Sequence, residues 1–182
     1  MRTLRASGCT LEPLVAAHAR GMFAVLSDPA IYEFENAPPP SEEWLADRYR
    51  KLEQRRSPDG REQWLNWVVR LPGGELAGYV QATVRSSAAA CIAYELGSRH
   101  WRQGIGSSAV AAMLDELRHA YGVHTFAAVL KVANHRSFGL LRKLGFSRAS
   151  ARQVLEFGGG ADELVMVRAA DITPTSRPCA RG

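Results

Sequence analysis

The segment HWRQGIGSSAV, residues 100–110, places two glycines directly before a run with helical periodicity. The first amides of a helix have no intrahelical partners and carry the positive end of the helix dipole, so they bind anions. Glycine lets the backbone approach a bulky anion closely. We therefore expect the amides of this turn to bind a diphosphate. The residues concerned are Arg102, Gln103, Gly104, Ile105, Gly106 and Ser107.

Other phosphate-binding turns fit this segment less well. A P-loop needs Gly-Lys-Ser or Gly-Lys-Thr, which the segment lacks. A dinucleotide fingerprint needs a third glycine where Ala109 stands, and a carboxylate on the next strand, where TFAAVLKV offers none. A turn that binds no ligand stays open on this motif alone.

A second group of polar residues follows the next strand, where Asn134 and Ser137 begin the segment NHRSFGLLRKLGF. If the two preceding strands run parallel, both helix N-termini face one crevice, which is where ligands bind in open α/β sheets. Asn134 also fits a helix N-cap, and Ser137 also fits an exposed first-turn residue. Both readings remain open from the residues alone.

The bulk composition is that of a core-forming, water-soluble chain: 182 residues, 46% hydrophobic and 23% charged. We expect one domain over residues 1–170 and a disordered tail over 171–182. No apolar run is long enough for a membrane span or a signal peptide, and the three cysteines have no paired or metal-like spacing. These features predict a cytoplasmic protein without a metal site or membrane partner.

The positive charge is concentrated in one part of the chain. Residues 99–152 contain nine basic and two acidic residues, whereas the remainder contains 14 basic and 16 acidic residues. This asymmetry favours an anionic ligand on that side. It does not favour a nucleic-acid partner, because the chain has no nucleic-acid-binding motif and no interleaved exposed aromatics.

The periodicities predict the order β-α-α-β-β-β-α-β-α-β-β, with a final hairpin of residues 147–157 and 162–169. Consecutive strands imply an antiparallel part of the sheet, and a strand–helix–strand step implies a parallel part. The fold class is therefore α/β (α+β), with a mixed central sheet of about six or seven strands and helices on both faces. Predicted helix ends are Ser41 as an N-cap, with Gly122 and Gly145 as C-terminal glycines.

The segments AYELGSRHWRQGIGSSAVAAMLDEL and ANHRSFGLLRKLGF together resemble the GNAT superfamily of N-acetyltransferases. The similarity covers about residues 9–169 and is specific at 94–114 and 131–146. Most superfamily members have Gln or Arg where Trp101 stands. The aromatic residue, with the opening TLEPL…MFAVLSDPAIYEF, resembles the RimJ/RimL-type branch. This resemblance implies a GNAT fold, in which the central sheet splays at its middle.

The resemblance also implies acetyl-CoA as the cofactor. Its pyrophosphate would lie on the amides of residues 102–107, and its pantetheine would pair with the end of the strand at Leu96 and Gly97. Asn134 and Ser137 would lie near the pantetheine and the thioester. The candidates for the adenosine 3′-phosphate are Arg136, Arg142 and Lys143.

Direct attack of an amine on a thioester needs a base, an oxyanion donor and a donor to the leaving thiolate. Glu95 is the carboxylate on the central strands, acting as the base or as an amine-binding or salt-bridging residue. The Leu96 amide is the expected oxyanion donor. Ser137 is the expected donor to the sulfur, because Leu141 stands where many superfamily members have Tyr. Weaker candidates for the base are Glu33, Glu35 and His100.

The function expected from these features is acetyl-CoA-dependent N-acetyl transfer to a protein N-terminus or a small amine. The alternative is a non-catalytic acyl-CoA-binding module, which the missing tyrosine suggests. A homodimer could form through an edge strand of the C-terminal hairpin.

Overall fold

The computed structural model describes residues 1–34 and 36–170. Its described residues form one mixed sheet of eight strands in the order β1-β2-β3-β4-β5-β6-β8-β7. The strands are β1 (Leu4–Ala6), β2 (Cys9–Pro13), β3 (Glu62–Arg70), β4 (Leu76–Arg85), β5 (Ala89–Leu96), β6 (Thr125–Lys131), β7 (Ser147–Arg148) and β8 (Glu163–Ala169). The helices are α1 (Ala19–Leu26), α2 (Glu42–Leu52), α3 (Ile105–Tyr121), α4 (His135–Lys143) and α5 (Ala151–Phe157).

The sheet opens between β5 and β6, which form the one parallel pair in the described part of the chain. Their pairing is confined to residues 89–91 on β5 and 125–127 on β6. Beyond this contact β5 continues to Leu96 along β4, and β6 continues to Lys131 along β8. The splayed sheet expected from the resemblance is therefore confirmed.

Helices cover both faces of the sheet, as predicted. The apolar stripe of α3, including Val110, Met113 and Leu117, is fully buried against one face together with Leu141 of α4. On the opposite face α1 and α2 form a second apolar cluster that includes the buried side chain of Tyr49. A third, smaller cluster lies under α5.

The predicted helix ends are confirmed by hydrogen bonds. Ser41 Oγ accepts from the Trp44 amide at 3.1 Å. Gly122 and Gly145 both have positive φ angles, 64° and 82°. After Gly145, the amide of Phe146 donates to Leu141 O, and the Phe146 ring is buried. The helix α4 therefore ends in a Schellman-type turn.

The predicted final hairpin is wrong in its first strand. Only Ser147–Arg148 pair with β8, and the chain then forms α5. Ser150 and Gln153 form a reciprocal capping box, a helix-start signal that is present in the sequence. Val154 and Phe157 then fall on one side, against the small cluster under α5. The homodimer remains a prediction, and its edge strand is now only two residues long.

The sheet has more strands than expected, because the chain begins with a hairpin. Its first strand, β1, has only three residues, which are too few to show an alternating pattern in the sequence. In this hairpin Leu4 pairs with Leu11, and the Leu4 side chain is buried. Arg2 ties the hairpin to α3 through an ion pair with the buried Glu116 at 2.7 Å. The predicted tail 171–182 and Glu35 lie outside the described residues, and the single-domain assignment stays a prediction. No helix in residues 1–34 and 36–170 is long and apolar enough to cross a membrane.

We predict that Gly78→Ala strongly destabilises the protein. A Cβ at this position would lie 2.0 Å from Glu95 O and 2.7 Å from Leu96 Cα, which are backbone atoms and cannot rotate away. We expect the free energy of unfolding, measured by chemical denaturation, to fall by about 3 kcal/mol. The matched control is Gly73→Ala, where a Cβ meets nothing within 4 Å. Equal losses for both variants would contradict this reading.

Candidate active site

The inner edge of β5 faces the opening in the sheet with backbone donors and acceptors. Gly97 N donates to Ala77 O at 2.9 Å, so the neighbouring Gly78–Leu96 pair is of the non-hydrogen-bonded kind. The amide and carbonyl of Leu96 therefore point away from β4, towards the side where β6 has diverged. An extended ligand in the opening could pair with this edge, and the Leu96 amide could donate to an oxyanion.

The turn before α3, which the sequence predicts to bind an anion, lies beside this opening. Gly104 precedes the helix with a φ angle of 82°, and no side chain caps the helix by a hydrogen bond. Arg102, Gln103 and Gly104 are exposed, so their backbone can be reached from solvent. Ile105 is buried beneath the turn. The amides of this turn are thus available to a diphosphate.

Gly106 has a second role that the motif alone did not reveal. A Cβ here would lie 3.2 Å from Leu140 Cδ1 and 3.4 Å from Leu96 Cδ1. The glycine therefore allows the first turn of α3 to pack closely against both α4 and the end of β5. Ser107 is half-buried next to it. The glycine turn consequently lies next to the end of β5, which borders the opening.

Trp101 fixes the end of β5, which explains the aromatic residue in front of the glycine turn. Its indole Nε1 donates to Leu96 O at 2.8 Å. This carbonyl is one of the two polar groups that Leu96 turns away from β4. The bond leaves the Leu96 amide as the group directed into the opening.

Arg136, from the first turn of α4, contacts the loop that follows α1. Its guanidinium carbon lies 4.2 Å from the Trp101 ring centroid and 5.2 Å from that of Phe34. Its Nη2 lies 2.7 Å from Glu33 Oε2. Arg136 thus links the Asp28–Phe34 loop to the site.

The three basic residues of α4 are not grouped together. Arg142 and Lys143 are exposed in its last turn, about 9 Å along the axis from Arg136. Binding of a 3′-phosphate by Arg136, Arg142 or Lys143 stays a prediction.

The N-terminus of α4 brings Asn134, Ser137 and a tyrosine of β5 together. Asn134 Oδ1 accepts from the Ser137 amide at 3.0 Å, so Asn134 is the N-cap. The hydroxyl of Tyr94 lies 2.7 Å from Ser137 Oγ and 3.3 Å from Ser137 O. Burial raises the pKa of Tyr94 to about 12. Sequence reasoning missed Tyr94, since a tyrosine on a strand carries no signal of a partner 43 residues away.

Glu95 projects from the opposite face of β5. The β4–β5 register is continuous, so no bulge turns Glu95 to the side of Tyr94. The Tyr79 hydroxyl donates to Glu95 Oε2 at 3.1 Å. Burial and the nearby Glu95 charge raise the pKa of Tyr79 well above its usual value, so this phenol stays protonated and keeps donating. Tyr79 was also missed by sequence reasoning.

The weaker candidates for the base are placed less favourably. His100 is buried, and its Nε2 lies 2.9 Å from Arg99 Nε, which donates to it. Burial, followed by the Arg99 charge, lowers the pKa of His100, so the imidazole is neutral with this nitrogen occupied. Glu33 is paired with Arg136.

Comparison with known proteins identifies a family and a shared fold. The family described as "Acetyltransferase (GNAT) domain" matches residues 9–147. No curated protein matches the chain significantly by sequence.

Solved structures with the same fold include two acetyltransferases that are named for ribosomal proteins, and a RimJ protein. The ribosomal-protein-S5-alanine acetyltransferase from Vibrio fischeri has a TM-score of 0.74 at 18% identity, over 93% of this chain and 97% of that one. RimJ from Mycobacterium smegmatis, in complex with CoA-disulfide, has a TM-score of 0.74 at 21% identity, over 94% and 88%. RimL, a ribosomal L7/L12 α-N-protein acetyltransferase in complex with coenzyme A, has a TM-score of 0.74 at 18% identity, over 91% and 96%.

We predict that Trp101→Phe loosens the end of β5. The variant removes the Nε1 donor to Leu96 O but keeps an aromatic ring, so the free energy of unfolding should fall by about 1 kcal/mol. Hydrogen exchange of the Gly97 amide, which bonds to Ala77 O, should become faster. Trp44→Phe is the control, because Trp44 is exposed on α2. Unchanged exchange at Gly97 in Trp101→Phe would argue against this role.

Proposed function

The chain belongs to the GNAT acetyltransferase family, and from this premise we propose that it transfers an acetyl group from acetyl-CoA to a primary amine. One arrangement carries the proposal: a sheet opening flanked by an anion-binding turn, with Ser137 and Glu95 on opposite sides of β5. The family supplies the class of enzyme. The residues around the opening supply the proposed mechanism.

The residues present fit acetyl-CoA along the whole opening. The uncapped N-terminus of α3 and the positive φ of Gly104 suit the diphosphate. The inner edge of β5, ending at Leu96, suits an extended pantetheine that pairs as a strand would. The donor supplies the activated acetyl group as a thioester. These residues bind and orient it, which reduces the entropy lost on reaching the transition state.

Three groups of the protein would act on the reacting atoms. Glu95, oriented by Tyr79, takes the proton that the amine nitrogen loses as its bond to the acetyl carbon forms. The Leu96 amide donates to the carbonyl oxygen while that oxygen carries negative charge. When the carbon–sulfur bond breaks, its electron pair goes to sulfur, and the Ser137 hydroxyl donates to the resulting thiolate. Because a thiol pKa is about 8.5, this hydrogen bond is sufficient without a strong acid.

We propose a protein N-terminal amine as the acceptor. Two of the similar structures are acetyltransferases of ribosomal proteins by their printed names, which favours a protein over a small amine. In this chain, burial and then the Glu95 charge raise the pKa of Tyr32, in the loop after α1, to about 12, so Glu95 places negative charge beside that loop. Such charge attracts a cationic ammonium group before it loses its proton.

We predict that Ser107→Asp weakens coenzyme A binding without destabilising the protein. A carboxylate in the first turn of α3 interacts favourably with the helix dipole, so the free energy of unfolding should rise by about 0.5 kcal/mol or stay unchanged. The same charge repels the diphosphate, so affinity measured by calorimetry should fall on the order of 100-fold. The matched control Ser107→Asn is neutral and should bind nearly as the parent does. Equal coenzyme A affinities for Ser107→Asp and Ser107→Asn would show that the diphosphate does not bind at this turn.

We predict acetylation of a peptide N-terminus by the parent protein, detected by mass spectrometry with acetyl-CoA as donor. Glu95→Gln keeps an acceptor for Tyr79 but cannot take a proton, so the rate should fall on the order of 100-fold. The rates of both the parent and the variant should fall as the pH drops through the pKa of the acceptor's α-amino group, about 8, because the protonated amine cannot attack. Product from small amines but from no peptide would reassign the acceptor. Bound coenzyme A with no product from any amine would identify a non-catalytic acyl-CoA-binding module.

A further inference from the structure

The strongest unassigned contact near the opening is the pair formed by Tyr94 and Ser137. Their hydroxyl oxygens are 2.7 Å apart, which is a typical distance for an O–H···O hydrogen bond. Tyr94 comes from β5 and Ser137 from the first turn of α4, so the pair bridges the two elements that flank the opening. Each hydroxyl has one proton to donate and lone pairs that accept. The direction of this bond decides where the Ser137 proton points.

We propose that Tyr94 is a positioning residue that donates to Ser137 Oγ and so leaves the Ser137 proton directed at the sulfur of the donor. The proposal rests on the proposed function, because it assigns a role within acetyl transfer. A phenol is the more acidic of the two hydroxyls and hence the better donor. When its proton occupies a lone pair of Ser137 Oγ, the serine O–H remains for the departing thiolate. A donor to Oγ also polarises that O–H and strengthens its next hydrogen bond.

The surroundings of Tyr94 hold its ring in place. Tyr94 packs against the main core cluster on the α3 and α4 side of the sheet, so its hydroxyl has little freedom. The backbone around it is fixed by pairing with Val80 on β4. Ser137, in contrast, is half-buried with a short side chain that can rotate. The rigid partner therefore selects the rotamer of the mobile one.

Tyr94 cannot itself be the acid for the leaving group. Burial raises the pKa of its phenol to about 12, whereas a thiol has a pKa of about 8.5. Transfer of the phenol proton to the thiolate is therefore uphill by a factor of over 1,000, on the order of 3 pKa units. The same elevation keeps Tyr94 protonated throughout the working range of pH. The role of Tyr94 is thus to orient a hydrogen bond without transferring its proton.

A purely structural role would use the same contact. The Tyr94 hydroxyl also lies 3.3 Å from Ser137 O, so it could pin α4 to β5 without affecting the serine proton. The two roles differ in what they do to a thiolate at the site. Under positioning, the pKa of a bound thiol depends on how strongly Tyr94 donates to Ser137 Oγ. Under pinning alone, it depends only on whether the contact that holds α4 is present.

The test is the pKa of the coenzyme A thiol bound to the protein, titrated by the ultraviolet absorbance of its thiolate. We expect Tyr94→Phe and Ser137→Ala each to raise this pKa by about one unit relative to the parent. The double variant should match Ser137→Ala alone, since Tyr94 acts only through Ser137. Tyr121→Phe, which removes a half-buried hydroxyl at the end of α3, is the matched control and should leave the thiol pKa unchanged.

The direction of the hydrogen bond between Tyr94 and Ser137 can be tested by replacing Tyr94 with an analogue that keeps the ring but donates more strongly. With 3-fluorotyrosine at position 94 the phenol is a stronger donor, so the bound thiol pKa should move below that of the parent. Movement upwards would show that Tyr94 accepts from Ser137 and would overturn the proposal. An unchanged thiol pKa in Tyr94→Phe, or additive effects in the double variant, would also overturn it.

Kinetics separate this inference from the proposed function. Tyr94→Phe should lower kcat about tenfold, with the KM for acetyl-CoA within about twofold of the parent. If the parent acetylates no amine, the proposed function fails, whatever the thiol titration gives. If the parent is active and Tyr94→Phe retains its kcat, only the role of Tyr94 fails.

Discussion

The rest of the site depends on the short parallel contact between β5 and β6. Three residue pairs join them, and beyond these each strand keeps an antiparallel partner on its outer side. Because β5 stays paired with β4 and β6 stays paired with β8, the two halves of the sheet can diverge without losing the backbone hydrogen bonds within each half. The cost falls on the inner backbone edges, whose polar groups need a partner. An extended ligand with amide groups meets that need, so the same feature that opens the sheet also creates its binding edge.

The alternation of side chains along β5 then separates two chemical tasks. Consecutive residues of a strand face opposite sides, so Tyr94 points towards α4 and Glu95 towards Tyr79. In the proposed reaction, neighbouring residues of this one strand therefore serve the leaving group on one face and the amine on the other. A bulge here would move both residues to the wrong face, and the continuous register with β4 excludes one. The close approach of Gly78 to Glu95 O makes that register hard to alter.

The sequence allowed prediction of features that depend on local geometry. The caps at Ser41 and Asn134 and the glycine before α3 are dictated by a few neighbouring residues, and all three are confirmed. The contacts of Tyr94 and Tyr79 were not predictable, because they depend on how β5 meets distant elements. The helix α5 was not predicted, although the sequence contains its capping box. The apolar residues of this segment were interpreted as the alternating pattern of a strand. Local signals can therefore predict the glycine turn and the helix start that follows it, whereas the pairing of side chains across the opening requires the fold.

Trp101 and Arg136 join the end of β5 to the loop after α1. The indole holds the end of β5 through Leu96 O, and its ring lies against the Arg136 guanidinium. Arg136 in turn bonds Glu33 in the loop after α1. One chain of contacts thus connects the end of β5 with the loop after α1. An aromatic residue suits this position better than Gln or Arg would, because a second cation beside Arg136 would repel it, and a glutamine has no face for it to stack on.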